Sequence, residues 1–235
     1  MTPVVLDISH HNTVLDFAKV KAAGILGIIH KASQGTRYGD TCYQQRRKDA
    51  AAAGLDWGAY HFASNDDPLK QVEWFLAHAL PDGQTLLALD WEDNPEGPNM
   101  SVAQARTFLN ELMVRTGRHP SSILVYGGNV LKEQIADAVD CAYFSQFPLW
   151  LCEYGPTASL PKAWSSYYLW QYSDTGRIDG MSADGNVDLN VMGTTPPPWE
   201  WVQPEHVVNP VGPAPEIRPK KVADDAIAIG AIVAR

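Results

Sequence analysis

Short apolar segments alternate with amphipathic segments along the first 193 residues of the chain. Four amphipathic segments have helical spacing of their apolar positions: Asp16 to Gly24, Gln44 to Gly54, Leu69 to Leu80 and Ser101 to Gly117. Seven apolar segments have the length and composition of strands: Val4 to Asp7, Ile25 to Ala32, Trp57 to Ala63, Thr85 to Glu92, Ile123 to Gly128, Pro148 to Tyr154 and Tyr167 to Ser173. Strands that alternate with helices indicate a mainly parallel sheet. The pattern predicts an α/β fold, a distorted TIM-like (β/α) barrel whose later helices are short and irregular.

The composition changes sharply after residue 193. The last 42 residues hold eight of the 17 prolines, which is typical of an extended linker. We therefore expect one domain over residues 1–193, a proline-rich linker or tail over 194–223 and a short apolar segment over 224–235. The apolar segment is about half as long as a membrane-spanning helix. It could dock on the domain, contact a partner or a membrane, or belong to a truncated second module.

Charge and cysteine content exclude several classes of protein. The net charge of −9 argues against a nucleic-acid partner, and no apolar run is long enough to predict a membrane span. Three widely spaced cysteines give neither a disulfide framework nor the ligand spacing of a zinc site. The N-terminal residues lack the pattern of a signal peptide, so we expect synthesis in the cytoplasm.

Acidic residues are crowded where one predicted strand ends. In "LLALDWEDNPEG", Asp90 and Glu92 lie two positions apart and share one face of the strand, whereas Leu87, Leu89 and Trp91 point the other way, toward the helices. Strand ends of a parallel barrel meet at one face, where reactive groups collect. Two buried carboxyls raise each other's pKa, which suits a group that must hold a proton near neutral pH. Glycoside hydrolysis uses such a pair, although helix caps or salt bridges could also explain it.

Five motifs, in order along residues 1 to about 193, resemble those of glycoside hydrolase family 25, the Chalaropsis-type muramidases that are often phage endolysins. The motifs are "VLDISHHN", "HKASQG", "GAYHFA", "ALDWED" and "LWQYSDTGRIDGMSADGNVDLNVM". The resemblance implies a lysozyme that cleaves the β-1,4 bond between N-acetylmuramic acid and N-acetylglucosamine in peptidoglycan.

The resemblance also implies the site residues. Glu92 would be the general acid/base, Asp90 would stabilise the cation or orient the 2-acetamido group, and Asp7 and Asp188 would tune charge and hold the geometry. Family motifs place Tyr60 in the pocket and Lys31 as a polar contact, and sugar rings stack on aromatic side chains. The predicted substrate-binding residues are Tyr60, Lys31, Phe62, Tyr126, Trp170 and Gln171. His10, His11, Asn12 and Gln34 depart from the residues commonest in the family, which leaves subsite detail open.

Three alternatives remain on the sequence alone. A metal hydrolase could use Asp7, His10, His11, His30 and His61, but their spacing matches no metal motif, and strand histidines are more often packing residues. A glycosidase acting on chitin, or a glycan-binding protein without activity, is also compatible with the aromatic residues. We expect no metal and no cofactor, a monomer, peptidoglycan as partner, and release to the cell wall through a holin pore.

Overall fold

A computed structural model describes residues 1–183 and 185–193, which form a barrel with helices on its outside. The strands are β1 (Val5–Ile8), β2 (Gly27–Gln34), β3 (Tyr38–Gly39), β4 (Asp56–Phe62), β5 (Leu86–Asp90), β6 (Ile123–Gly127), β7 (Leu149–Cys152), β8 (Leu169–Gly176) and β9 (Val187–Met192). The helices are α1 (Phe17–Ala22), α2 (Tyr43–Ala52), α3 (Pro68–Ala79), α4 (Val102–Thr116), α5 (Asn129–Gln134) and α6 (Ala138–Phe144). The predicted linker 194–223 and apolar segment 224–235 lie outside the described residues.

Eight strands close into the predicted barrel, in the order β1-β2-β4-β5-β6-β7-β8-β9 and back to β1. The pairs from β1 to β8 are parallel, whereas β9 runs antiparallel to both of its neighbours. β3 lies outside this ring as an antiparallel partner of β2. The distorted TIM-like α/β barrel predicted from the sequence is confirmed, and the antiparallel closing strand is its main irregularity.

Neither β3 nor β9 was predicted as a strand. β3 has only two residues, too few for a periodic signal. β9 follows a stretch rich in Gly, Asp and Asn and contains Asp188 and Asn190, residue types that are depleted in strands. Pairing with β1 and β8 on both sides overrides this weak local preference.

The regular helices follow from local sequence signals. α4 begins at a capping box, in which the Ser101 side chain accepts from the Gln104 backbone N–H and the Gln104 side chain accepts from Ser101. It ends at Gly117, whose φ of 67° is left-handed. α3 starts with Asp67 as N-cap and Pro68 in the first turn. The later helices α5 and α6 have only six and seven residues, as the sequence predicted.

Two apolar cores result from the alternation of side chains along the strands. The larger core lies between barrel and helices and includes Leu87, Leu89 and Trp91, whereas Leu86 and Ala88 belong to the smaller core inside the barrel. The predicted assignment of the β5 faces is therefore confirmed. Within the described residues, no helix is long and apolar enough to cross a bilayer.

Candidate active site

Three strands bring the four predicted acids to the mouth of the barrel. Asp7 lies in β1, Asp90 ends β5 with Glu92 two residues beyond it, and Asp188 lies in β9. Each acid is an even number of residues away from a side chain of the inner core on the same strand. Their carboxyl groups therefore all point to the inside of the barrel. The parallel strands deliver Asp7 and Asp90 at their carboxyl ends, and the antiparallel strand delivers Asp188 near its amino end.

Asp7 and Asp188 form a hydrogen-bonded pair. They are direct register partners on the antiparallel strands β1 and β9, so their side chains lie side by side on one face. Burial, followed by the charge of Asp7, raises the pKa of Asp188 to about 9. Burial also raises the pKa of Asp7, while hydrogen bonds from Asn190, Gln171 and Asp188 act in the opposite direction. Near neutral pH, Asp188 therefore holds a proton that it can donate to Asp7.

Two amides clamp Asp7 in place. Gln171 Nε2 donates to both carboxylate oxygens of Asp7, each at 3.0 Å. Asn190 Nδ2 donates to Asp7 Oδ2 at 2.7 Å, and the Oδ1 atom of Asn190 accepts from Trp150 Nε1 at 2.7 Å. Sequence reasoning did not assign a role to Asn190. The D-x-N motif contained the signal, because residues 188 and 190 must share one face of a strand.

Glu92 and Asp90 both favour their protonated forms. Burial, followed by the charge of Asp7, raises the pKa of Glu92 to about 7. Burial and the neighbouring Glu92 raise the pKa of Asp90 well above its ordinary value. Asp90 Oδ1 is buried and has no hydrogen-bond partner among the described residues. A buried carboxyl oxygen without a partner is unfavourable in the free protein and is available to a ligand N–H.

Lys31 is the cation of this acid cluster. Its Nζ donates to Gln34 Oε1 at 2.5 Å and lies 4.7 Å from the centre of the Phe62 ring. Burial lowers the pKa of Lys31, and the charges of Asp90 and other acids oppose that shift. Lys31 in turn lowers the pKa values of Asp90 and Glu92. The structure therefore brings both Lys31 and Phe62 to the acids.

Three more predicted residues line the inside of the barrel. Tyr126 donates from its hydroxyl to Gln171 Oε1 at 3.0 Å, so that Gln171 links this tyrosine to Asp7. Tyr60 packs edge-on to the Trp150 ring, with centroids 6.2 Å apart. Burial raises the pKa of both tyrosines well above the ordinary value, and the surrounding carboxylates add to the shift. Both hydroxyls therefore remain protonated and can donate hydrogen bonds.

Trp170 does not join the acids. Adjacent residues of a strand point to opposite faces, so Trp170 and Gln171 cannot both face the mouth. The Trp170 ring packs in the outer core, and its indole N–H donates to the Glu153 carbonyl at 2.6 Å. The pattern of alternation could have excluded Trp170 from the predicted contacts with substrate.

The two strand histidines of the alternative metal site also face outward. His61 is fully buried between the Phe75 and Phe108 rings and bonds to Ser33 and Gln71. His30 is buried against Trp57 and bonds to the Lys31 carbonyl and to Arg46. Burial lowers the pKa of His61 to about 3 and that of His30 to about 4. Both are neutral packing residues, separated by the barrel wall from Asp7.

The remaining members of the alternative metal set lie beyond β1. His10 Nδ1 lies 3.1 Å from Asp40 Oδ2 and 2.7 Å from the Tyr38 hydroxyl, and His11 packs against the His10 ring. The described part of the chain contains no group of three or more His, Cys, Asp or Glu residues that could hold a metal ion.

Two cavities flank the acids at the carboxyl ends of the strands. One, of about 350 Å³, lies at the ends of β5, β6 and β7 and is lined by Glu92, Asp93, Gly128, Asn129, Val130, Cys152, Glu153 and Tyr154. We call it the Glu92 cavity. The other, of about 370 Å³, lies at the ends of β2, β4 and β5 and is lined by Gln34, Gly35, Thr36, Arg37, Tyr38, Ser64, Asn65, Asp66, Asn94, Glu96, Gly97 and Pro98. We call it the Arg37 cavity.

Comparisons with known proteins agree with this geometry. Lysozyme M1 of Streptomyces globisporus is 30% identical over 196 residues, which cover 79% of this chain and 66% of that protein. The crystal structure of the bacterial lysozyme from Streptomyces coelicolor matches with a TM-score of 0.70 and 27% identity, over 86% of this chain and 96% of that chain. The CTP1L endolysin structure matches with a TM-score of 0.65 and 26% identity, over 80% of this chain and 66% of that chain.

The chain thus spans just under two thirds of the first relative and of the endolysin. The model of the glycosyl hydrolases family 25 matches residues 6–181, which include three of the four clustered acids and most of the barrel. The chain belongs to glycosyl hydrolases family 25.

Proposed function

We propose that this protein is a lysozyme, an N-acetylmuramidase that hydrolyses the β-1,4 bond between N-acetylmuramic acid and N-acetylglucosamine in bacterial peptidoglycan. One observation carries the proposal. A carboxyl group with a pKa of about 7, Glu92, lies at the barrel mouth beside Asp90, whose buried Oδ1 has no hydrogen-bond partner in the described chain. The first group can give a proton near neutral pH, and the second can accept an N–H from the substrate.

Glu92 acts as the general acid/base. Cleavage requires a proton on the leaving glycosidic oxygen and then removal of a proton from the attacking water. A general acid works best when its pKa lies near the working pH, and burial places Glu92 in that range. Its carboxyl borders a cavity open to a sugar, so the group combines a suitable pKa with access.

Asp90 orients the 2-acetamido group of the muramic acid residue. In this mechanism the acetamido oxygen attacks the anomeric carbon as the leaving bond breaks, and the acetamido N–H becomes more acidic as positive charge develops. Asp90 Oδ1 accepts that N–H and gains the partner that it lacks in the free protein. The nearby Lys31 favours the ionised form of Asp90, which is the form that best stabilises developing positive charge.

Asp7 and Asp188 hold the opposite wall of the mouth. Hydrogen bonds from Asp188, Gln171 and Asn190 favour negative charge on Asp7 and oppose the effect of its burial. That charge raises the pKa of Glu92 and stabilises the oxocarbenium-like transition state. Tyr60 on β4 and Tyr126 on β6 flank β5, and they offer protonated hydroxyls from the wall that carries Asp90.

The decisive experiment is mass spectrometry of the fragments released from purified peptidoglycan. The proposal requires new reducing ends on N-acetylmuramic acid, and Glu92→Gln should release none above background. Reducing ends on N-acetylglucosamine would indicate a different bond specificity. Equal hydrolysis of chitin oligomers would favour the chitin alternative, and binding without release would favour a glycan-binding protein.

We also propose that the protein is a monomeric endolysin, made in the cytoplasm and released to the wall through a holin. The support is the similarity to the CTP1L endolysin together with the absence of a spanning helix in the described residues. Expression with and without a holin in a host with a cleavable wall tests this role. Lysis that needs both proteins is expected, whereas lysis without the holin would contradict it. Light scattering would test the monomer.

A further inference from the structure

The order of groups around the mouth gives a direction to the sugar chain. Glu92 must lie at the glycosidic oxygen on C1 of the muramic acid residue, and Asp90 must lie at the acetamido group on C2. The Glu92 cavity lies on the β6 and β7 side of these two acids, and the Arg37 cavity lies on the β4 and β2 side. The leaving N-acetylglucosamine therefore occupies the Glu92 cavity.

C3 is the next ring carbon, and it carries the lactyl ether that distinguishes muramic acid from N-acetylglucosamine. Asp90 is the register partner of Phe62, and its charge is the one that acts most strongly on Lys31. The Lys31 Nζ atom lies 4.7 Å from the centre of the Phe62 ring and donates to Gln34, which lines the Arg37 cavity. When Asp90 holds the acetamido group on C2, the side of the ring that leads to C3 is the side of Lys31 and the Arg37 cavity, and the leaving sugar is on the side of the Glu92 cavity. In peptidoglycan, the substituent on C3 is the lactyl group with its attached stem peptide.

The walls of the Arg37 cavity are fixed before any ligand binds. Thr36 Oγ1 and Ser64 Oγ both donate to Asp66 Oδ2, at 3.2 and 3.0 Å, which joins the loops after β2 and β4. A Cβ atom at Gly35 would lie 3.0 Å from Asp66 Oδ2, and the φ of Gly35 is +53°, so a side chain at this position would be strained and crowded. The Gly35 backbone thus packs directly against the Asp66 and Ser64 side chains, which favours a preorganised site.

The third loop, after β5, connects this cavity to the acids. Gln34 accepts from Lys31 Nζ at 2.5 Å and donates from Nε2 to Glu96 Oε2 at 3.4 Å. The charge of Asp90 in turn opposes the lowering of the Lys31 pKa by burial, so Lys31 and Gln34 lie between the acids and the rim of the cavity. Gln34 is one of the positions where this sequence departs from the commonest residue of the family.

The chemistry of the lining suits a peptide with charges of both signs. Arg37 is exposed and offers a planar set of donors for a carboxylate. Asp66 and Glu96 offer carboxylate oxygens to amide N–H groups and to an amino group. A stem peptide carries free carboxylates, amides and, at its diamino acid residue, an amine, whereas chitin offers none of these charges.

We propose that the Arg37 cavity binds the stem peptide of the muramic acid residue whose glycosidic bond is cleaved, with Arg37 as its carboxylate contact; this rests on the proposed muramidase function. The cavity is then a specificity site for peptide-bearing glycan, separate from the acids that perform the cleavage.

The test compares two substrates from one wall preparation: soluble glycan oligomers with their stem peptides, and the same oligomers after an amidase has removed the peptides. For Arg37→Glu, kcat/KM on the peptide-bearing oligomers should fall by about tenfold relative to wild type, because a favourable contact becomes repulsive. On the stripped oligomers it should stay within about twofold. Lys162→Glu makes the same charge change at an exposed residue before β8 and should alter neither value. The next residues, Ala163 and Trp164, lie beside Phe147 and Pro148 at the amino end of β7, away from the mouth.

An equal loss on both substrates, or no loss on either, would overturn the assignment of the cavity. The failure of the muramidase proposal has a different signature. In that case, wild-type protein would leave no reducing N-acetylmuramic acid ends on either substrate.

Discussion

The two faces of the barrel strands treat buried polar groups in opposite ways. On the outer face, both ring nitrogens of His61 have partners, and the ring lies between two phenylalanines in a neutral state. On the inner face, Asp90 is equally buried, yet one of its oxygens has no partner in the described chain and other acids surround it. The difference shows that burial alone does not identify a functional group. His61 has all its bonds made and supports the fold, whereas Asp90 lies among other acids at the mouth with one oxygen that we propose for a ligand.

The buried acids of the inner face therefore lower the free energy of unfolding, whereas the bonded groups of the outer face raise it. An acid with a raised pKa ionises less readily in the folded state than in the unfolded state. Its contribution to the free energy of unfolding is therefore fully present below the pKa of the unfolded state and is lost as the pH rises through the pKa of the folded state. For Glu92 this window runs from 4.5 to about 7, and for Asp188 from 3.8 to about 9. Substitutions that neutralise the acids should stabilise the protein while they remove activity.

The largest expected effect comes from Glu92→Gln, which breaks the inner face without changing its shape. Turnover of peptidoglycan should fall by about two to four orders of magnitude because the proton donor is lost. At pH 8, the free energy of unfolding should rise by about 2 kcal/mol because an unfavourable ionisation disappears. Release of reducing ends and urea denaturation measure the two effects.

Glu111→Gln is the matched control on α4, far from the mouth. It should leave turnover unchanged. Retention of more than a tenth of wild-type activity by Glu92→Gln would remove Glu92 from the role of general acid.

His61→Ala breaks the outer face instead. It leaves a cavity between the aromatic rings and takes away the partner of the Ser33 hydroxyl, so the free energy of unfolding should fall by about 3 kcal/mol. The fraction that remains folded should turn over at a rate within about twofold of wild type. Urea denaturation and activity at low temperature provide the comparison; a normal stability with a lost rate would contradict the division between the two faces.

The charges around Glu92 predict shifts of opposite sign in the pH profile. In the proposed mechanism Glu92 sets the alkaline limb, because a general acid loses its function when it ionises. Lys31→Met removes a cation that lowers the pKa of Glu92, so the alkaline limb of kcat/KM should move up by about one pH unit. Asp7→Asn removes the anion that raises this pKa most, so the limb should move down.

The profiles of kcat/KM against pH are measured on soluble glycan oligomers. The quantity compared is the pH at which the alkaline limb falls, not the maximum rate. Lys132→Met is the control for Lys31→Met, because Lys132 pairs with Glu153 at the rim. The alkaline limb of the Lys132→Met profile should stay in place. Shifts of the same sign for Lys31→Met and Asp7→Asn would show that neither group sets the charge on Glu92.

The smallest expected effect concerns an ion pair that belongs to neither face. Arg106 pairs with Asp140 at 2.8 Å and lies 4.4 Å from the Tyr143 ring centre, on the outside of the molecule. Arg106→Ala should lower the free energy of unfolding by about 1 kcal/mol, partly through lost packing. Turnover should not change, and a loss above about 3 kcal/mol would mean that partly exposed polar contacts rival the buried ones.

Much of the site could be predicted because strand alternation places residues on a face without knowledge of the fold. Asp90 and Glu92 follow directly from the β5 pattern, as do the outward Leu87, Leu89 and Trp91. The same rule would have separated Trp170 from Gln171, and there the prediction failed to use it. Five ordered motifs then identified the family, although their spacing says nothing about distances between strands.

The rest depends on contacts between distant parts of the chain. No local pattern predicts that Asn190 clamps Asp7, because the contact depends on β9 closing the ring beside β1. Likewise, the pKa of Asp188 depends on its register partner rather than on its neighbours in sequence. Tertiary pairing also explains why β9 forms from residues with weak strand preference.

The antiparallel last strand has a consequence for when the enzyme becomes active. Asp7 and Asn190, which bond directly, are separated by 183 positions, so nearly the whole domain must be synthesised and ordered before they meet. Contacts of such sequence separation form late, because the entropy of closing a long loop opposes them. A nascent chain that lacks β9 has Glu92, Asp90 and the Gln171 amide that bonds to Asp7, but it has neither Asn190 nor Asp188. The proposed four-acid site is therefore complete only when β9 closes the ring, and we expect chains that end before β9 to be inactive.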